Sequence, residues 1–247
     1  MTDWVNGTVY EVIQWNDRLC SLKVKADLAP YTAGQFGKLS LIIDGERVSR
    51  AYSFVNAPSA GHHEFYLIKI PDGRLSPHLF ELKPGDAIQV SRNASGFMTL
   101  AEVPAGRDLW MMATGTAIGP FLSILSEQQV FQRFENIVLV HGVRQRDDLT
   151  YQEQIHTIKT RQPLQFRYIP VVSREDCSDL LRGRIPLLLD HGLLEEAAEL
   201  SLSPEWSQTM ICGNPAMVKD TLHALQQKGL KKNLRREPGQ ITMENYW

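Results

Sequence analysis

The hydrophobic pattern of this chain changes character near residue 105, and few folds accommodate that change. Up to about residue 100, short strand-like runs alternate with turn residues: Val5–Ile13, Leu19–Val24, Gln35–Ile43, Val48–Val55, Glu64–Ile70 and Ala87–Val90. A period of two over so few residues reads as half-buried strands. Asp44-Gly45 joins two of them as a hairpin signal, and Pro84-Gly85-Asp86 is a turn. One helical piece, Ser76–Leu82, interrupts, with Ser76 suited to cap it and Pro77 to its first position. Short antiparallel strands at this spacing predict a small β-barrel.

Beyond the switch, strands alternate with helices. Leu109–Ala113 is a short apolar run followed by a helical stretch, Pro120–Gln129. Ile137–Val140, Phe166–Val172 and Thr209–Cys212 are further strands. Asn214-Pro215 opens a helix, Ala216–Lys228, that stops at Gly229. This alternation predicts a parallel α/β sheet with helices on both faces. The seam at Val103-Pro104-Ala105-Gly106 divides the chain into residues 1–103 and 104–247.

Composition excludes several classes of function. Hydrophobic residues make up 43% of 247, enough for packed cores. A net charge of −2, from 26 basic and 28 acidic side chains, argues against a nucleic-acid binder. The three cysteines, Cys20, Cys177 and Cys212, fall in no C-x-x-C spacing, so neither a disulfide framework nor a metal site is expected. Any iron–sulfur chemistry would belong to a partner. The N-terminus has no apolar leader and no run reaches membrane-spanning length, which reads as a soluble, cytoplasmic protein, taken as a monomer.

Six segments carry candidate chemistry. Arg50-Ala51-Tyr52-Ser53, at the end of a strand, offers a guanidinium for phosphate, a flat ring on the same strand face and a hydroxyl donor. The same residues also suit an ordinary edge strand. Gly73-Arg74-Leu75-Ser76-Pro77 precedes the short helix and reads either as an anion site or as a plain cap. Ala113-Thr114-Gly115-Thr116-Ala117-Ile118-Gly119-Pro120 joins the first strand and helix of the α/β half, and its glycines permit close backbone approach. Val172-Ser173-Arg174-Glu175 and Cys212-Gly213-Asn214-Pro215-Ala216-Met217 lie at carboxyl ends of strands, where open α/β sheets bind ligands. Arg144, Arg174 and Arg184 follow strands or loops, either converging on a phosphate or standing solvated. Finally, Tyr246-Trp247 places two large aromatics at the extreme C-terminus, where tails are usually polar.

In this order the segments resemble the ferredoxin–NADP⁺ reductase family, specifically the bacterial ferredoxin/flavodoxin reductases. The resemblance covers essentially the whole chain: RAYS, GRLSPHL, ATGTAIGPFLSI, VSRE, CGNPAMV and the aromatic end. It implies an N-terminal FAD-binding barrel, a C-terminal NADP(H)-binding α/β domain and a tail that returns to the FAD. Arg50, Ala51, Arg74, Leu75 and Ser76 are then expected to hold FAD, with Arg50 and Ser76 on its pyrophosphate. Tyr52 is expected to stack on the isoalloxazine and Ser53 to lie near its reactive N5. Thr116 matches the GTAIGP loop that faces the cofactors. Val143, Arg144, Ser173, Arg174 and Arg184 are expected around NADP(H), the arginines reading its 2′-phosphate. Cys212 is expected against the nicotinamide, with Asn214, Met217 and Asp220 following on the same helix. Tyr246 before a terminal Trp247 departs from the single terminal tyrosine of the plant enzymes and looks enterobacterial. That places Tyr246 on the flavin and Trp247 on the adenine, while Glu244 matches an acidic residue near the nicotinamide. The implied activity is electron transfer between NADPH and ferredoxin or flavodoxin. A flavin reductase or oxygenase-partner reductase is the alternative enzyme, and a flavoprotein redox sensor the alternative outside catalysis.

Overall fold

The computed structural model describes residues 2–245. Its chain separates into two compact units: the chain up to Thr99 together with Gly119–Ser126, and Leu100–Ile118 together with the chain from Glu127 onward.

The first unit is built on β1 (Trp4–Gln14), β2 (Leu19–Lys25), β3 (Phe36–Ile43), β4 (Glu46–Ser53), β5 (His63–Ile68) and β6 (Ala87–Ser91), with α1 (Ser76–Phe80) between the last two. These strands form one antiparallel sheet in the order β4-β3-β6-β1-β2-β5. Its two ends meet at an isolated bridge between Phe54 and Phe65, which curls the sheet onto itself. The expected hairpin is present. Asp44 (φ 52°) and Gly45 (φ 78°) take the paired left-handed conformations of a tight two-residue turn between Ile43 and Glu46. Inward positions of the strands, among them Val9, Leu22, Leu39, Phe54, Phe65 and Val90, make the core.

The second unit holds β7 (Asp108–Thr114), α3 (Gln128–Arg133), β8 (Asn136–Val143), α4 (Gln152–Arg161), β9 (Phe166–Val172), β10 (Leu181–Arg182), α5 (Ile185–Asp190), α6 (Leu193–Ala198), β11 (Ser207–Gly213), α7 (Pro215–Gln227) and β12 (Ile241–Asn245). The sheet is parallel throughout, in the order β10-β9-β8-β7-β11-β12. Strands β7 to β10 step outward one way and β11 returns to the other side of β7. The order therefore reverses between β7 and β11, and that is where a sheet of this kind opens a crevice at its carboxyl edge.

Three local expectations change. The stretch Pro120–Gln129 is not one helix: α2 (Gly119–Leu125) ends at Ser126, Glu127 is extended, and α3 begins at Gln128. The Ser126 hydroxyl donates to Leu122 O at 2.8 Å, competing locally with helix continuation. Ser76 is not the cap of α1; Leu75 holds that position and Ser76 is the first helical residue. And α2 groups with the antiparallel unit, although the chain has by then passed through β7. All seven of its residues are buried, and Ser123 Oγ donates to Asn56 O at 2.8 Å. No helix among the described residues is long and apolar enough to cross a membrane.

Candidate functional site

In the antiparallel unit, β4 presents the first candidate group. Its pairing with β3 sets Leu39 opposite Arg50, Gly37 opposite Tyr52 and Phe36 opposite Ser53. Arg50 is exposed, and its guanidinium reaches only Ser49 O, at 2.8 Å. Tyr52 is half-buried, and burial pushes its phenol up to about 12, so the ring is neutral across the physiological range. Ser53 is buried, yet its hydroxyl makes no hydrogen bond among the described residues. A polar ligand edge would give that hydroxyl a partner. One exposed cation, one neutral ring and one unspent donor within the four residues Arg50–Ser53 fit a flat, phosphate-bearing group such as FAD.

The 73–77 segment divides its roles differently. The Ser76 hydroxyl accepts a hydrogen bond from Ile70 N at 2.9 Å, closing the loop that leads into α1. Arg74 pairs with Glu46 at 2.8 Å, both largely exposed. Leu75 is buried in the core, and Ala51 is exposed on β4. Ser76 is therefore committed to a loop-closing bond, whereas Arg50 reaches only the carbonyl of the residue before it and Ser53 has no side-chain bond among the described residues.

In the α/β unit the candidates gather at the carboxyl ends of β7 and β11. Gly115 turns the chain out of β7, and the space where its side chain would be is open to at least 4 Å. Thr116, buried behind it, leaves its hydroxyl without a partner among the described residues. Across the reversal, Thr114 Oγ1 accepts from Asn214 N at 3.3 Å, tying the ends of the two strands together. Gly213 sits at φ 155°, and a Cβ there would lie 2.2 Å from Thr114 Oγ1, so only glycine permits this tie. Asn214 caps α7 by accepting from Ala216 N at 2.9 Å. Met217 accepts from Thr221 Oγ1 through its sulfur at 3.3 Å, and Asp220 is exposed one turn further.

Cys212 is fully buried on β11, in register with Glu244 on β12. Burial, and then the neighbouring Glu244 carboxylate, push the Cys212 thiol well above its usual range, so it is protonated at neutral pH. Burial also raises Glu244. The expected Tyr246 and Trp247 lie outside the described residues.

The arginines sort into two kinds. Arg144, Arg174 and Arg184 are exposed, and their side chains have no hydrogen bond or ion pair among the described residues. Arg146 and Arg182, on the same loops, are paired with Asp179 and Asp176. The loops are stitched together behind them: Ser173 N and Ser173 Oγ both donate to Val143 O at 3.0 Å, and Arg174 N donates to Arg144 O at 2.9 Å. Three guanidiniums with nothing to neutralise them at the carboxyl edge of a parallel sheet fit a phosphate.

Three residues at this edge carry no expectation from sequence: His141, Arg146 and Asp179. His141 is fully buried in β8, and burial lowers it to about 4, so it is neutral. Its Nε2 lies 3.1 Å from Gly115 O, and Nδ1 lies 3.5 Å from the Tyr168 hydroxyl, which accepts from Gln152 Nε2 at 3.0 Å. A neutral ring meeting a carbonyl through Nε2 must carry its proton there, so Nδ1 is the acceptor. The one signal in the sequence was a lone polar side chain inside the buried run Asn136–Val143.

Comparison with known proteins finds a family for each half of the chain. The oxidoreductase FAD-binding domain family matches residues 8–97, and the oxidoreductase NAD-binding domain family matches residues 111–223. The chain is 51% identical over 248 residues to a flavodoxin/ferredoxin–NADP reductase of Escherichia coli (strain K12), covering 100% of both chains. It is 36% identical to a ferredoxin–NADP reductase of Azotobacter vinelandii, over 96% of this chain and 95% of the other. Among solved structures, a ferredoxin NADP⁺ reductase from Neisseria gonorrhoeae with bound FAD and NADP aligns over 100% of both chains, with a TM-score of 0.93 and 34% identity.

Proposed function

That the chain belongs to the flavodoxin/ferredoxin–NADP reductase family is the premise from which we propose that it transfers electrons between NADPH and ferredoxin or flavodoxin. It does so as a monomer in the cytoplasm. Bound FAD supplies the conversion between two-electron and one-electron chemistry; the protein binds, orients and shields.

In this reading Arg50 meets the FAD pyrophosphate as a charge-assisted donor. Tyr52 lays an uncharged ring against the isoalloxazine, and Ser53 gives its unspent hydroxyl to the N5 edge. Arg74, Ala51, Leu75 and Ser76 shape the rest of that surface, Ser76 chiefly through the loop it closes. On the NADP(H) side, Thr116 donates toward the nicotinamide from the turn after β7. Cys212 supports that ring with a thiol that stays protonated, and Glu244 stands behind the thiol. Val143, Ser173, Asn214, Met217 and Asp220 frame the rest of the site. Tyr246 would cover the flavin and Trp247 would hold the adenine of FAD.

The observation that carries the choice of NADPH is the set of three partner-free arginines, Arg144, Arg174 and Arg184. A site for NADH needs no such concentration of unpaired cations. The test is rapid mixing of the FAD-loaded protein with NADPH and with NADH, followed by reduction of flavodoxin and ferredoxin. Fast flavin reduction by NADPH with onward transfer to either carrier is expected. Equal reduction by NADH would favour the flavin-reductase reading, and no reduction by either would favour a redox sensor.

A further inference from the structure

Arg146 bonds the loop between β9 and β10 at two points. Its backbone N–H donates to Glu175 Oε2 at 2.7 Å, and its guanidinium grips Asp179 with two parallel bonds of 2.7 Å each. The loop so held carries Arg174 near its start, and Arg184 follows it just beyond β10. It is also pinned by Cys177, which is buried against Val143 and Val172, and by the Arg182–Asp176 pair at 3.2 Å. Arg144 stands two residues before Arg146, and its carbonyl receives Arg174 N. The Arg146 side chain therefore ties the loop that carries Arg144 to the segment that opens with Arg174 and leads on to Arg184.

Arg146 is not itself free to take a phosphate, because both of its terminal nitrogens are occupied by Asp179. The carboxylate is held below its ordinary range by those same bonds, so the pair persists at any physiological pH. Bidentate geometry fixes orientation as well as distance. We propose that the Arg146–Asp179 pair is a clip that sets the spacing of Arg144, Arg174 and Arg184, making both residues determinants of the preference for NADPH over NADH. The inference rests on reading those three arginines as the 2′-phosphate site.

The clip and simple electrostatics predict opposite signs. Asp179→Asn removes one negative charge beside an anion site, which by charge alone tightens a phosphate. Loosening the clip weakens it. The FAD-loaded full chain is titrated calorimetrically with adenosine 2′,5′-bisphosphate, and with adenosine 5′-monophosphate as control. Asp179→Asn is expected to weaken the bisphosphate about 3–5-fold, the scale of an exposed ion pair with good geometry, and to leave the monophosphate unchanged. The reversed pair, R146D with D179R, is expected to recover wild-type affinity to within about twofold. The two side chains are 51% and 56% exposed, so neither substitution opens a core, and thermal melting checks this. Unchanged or tighter bisphosphate binding in Asp179→Asn overturns the clip, as does a double variant no better than the single one. Arg174→Ala separates two failures. If it weakens the bisphosphate while Asp179→Asn does not, the clip alone is wrong. If Arg174→Ala has no effect, the phosphate reading is wrong and the clip falls with it.

Discussion

Cys212 and Glu244 stand directly opposite each other on adjacent parallel strands, β11 and β12, and the carboxylate makes the buried thiol harder to ionise. Both sit at the carboxyl edge of the sheet, beside the reversal between β7 and β11. A thiol so placed is a neutral, polarisable surface rather than a nucleophile. Iodoacetamide is therefore expected to label Cys212 only on unfolding. Cys212→Ala is expected to slow flavin reduction by NADPH about tenfold, or ~1.4 kcal/mol of barrier, with little change in FAD content. Stopped-flow absorbance reads both quantities, and a normal reduction rate would remove Cys212 from the nicotinamide site.

The unpaired arginines make a sharper demand. A charge-assisted hydrogen bond contributes roughly 1.5–3 kcal/mol. Arg174→Ala or Arg184→Ala is thus expected to weaken NADPH by about one to two orders of magnitude while leaving NADH nearly unchanged. Steady-state kinetics with both cofactors checks this, and equal losses for the two would show that these side chains do not read the 2′-phosphate.

His141 ties stability to pH. Its folded value, about 4, lies below the ordinary 6.5, so the unfolded chain takes up the proton first as pH falls. The stability it contributes is complete above about pH 6.5 and is lost progressively between about 6.5 and 4. Linkage puts the loss from this one residue at about 2 kcal/mol between pH 7 and pH 5. His141→Gln retains a donor for Gly115 O but does not titrate. Urea unfolding at the two pH values is expected to show a smaller loss in the variant, and parallel losses would mean that other groups dominate acid sensitivity.

Docking of an acidic carrier is expected to use the segment after α7. Lys231, Lys232, Arg235 and Arg236 are exposed there, whereas Lys228 is drawn into a 2.5 Å pair with Glu195. Reversing the charge of Lys231 and Lys232 is expected to slow flavodoxin reduction by about 3–10-fold at low salt, with the defect shrinking as salt screens the encounter. A salt profile identical to that of the wild type would place the docking face elsewhere.

The strand β1 was legible because its buried and open positions alternate, whereas β2 and β5 are buried at consecutive positions and stood out as short apolar runs between turns. The strands β7, β8 and β11 were legible as continuous apolar runs for the complementary reason, being covered on both faces. Strand β12 escaped notice: it lies at the sheet edge, pairs along its length with β11 and meets only a single bridge, Lys232 to Ile241, on its other side, and carries Thr242, Glu244 and Asn245 among its five residues. Helix α4 offers only Ile155 and Ile158 to the core, too little to register as a stripe. Motif order located Arg174 and Cys212. No local pattern could show that Arg146 and Asp179, 33 residues apart, would share two hydrogen bonds. Nor could it show that His141 would meet the carbonyl of Gly115, 26 residues earlier. Those relationships belong to the folded chain.

The membership of α2 in the antiparallel unit has a consequence for how the protein is made. Synthesis delivers the six strands first, but the helix that packs with them emerges only after β7, a strand whose partners β8 and β11 do not yet exist. The nascent barrel must therefore wait, with the ground for Phe121, Leu122 and Ile124 uncovered, while a solitary apolar strand hangs from the ribosome beside it. A fragment cut at residue 103 would be arrested in that state permanently.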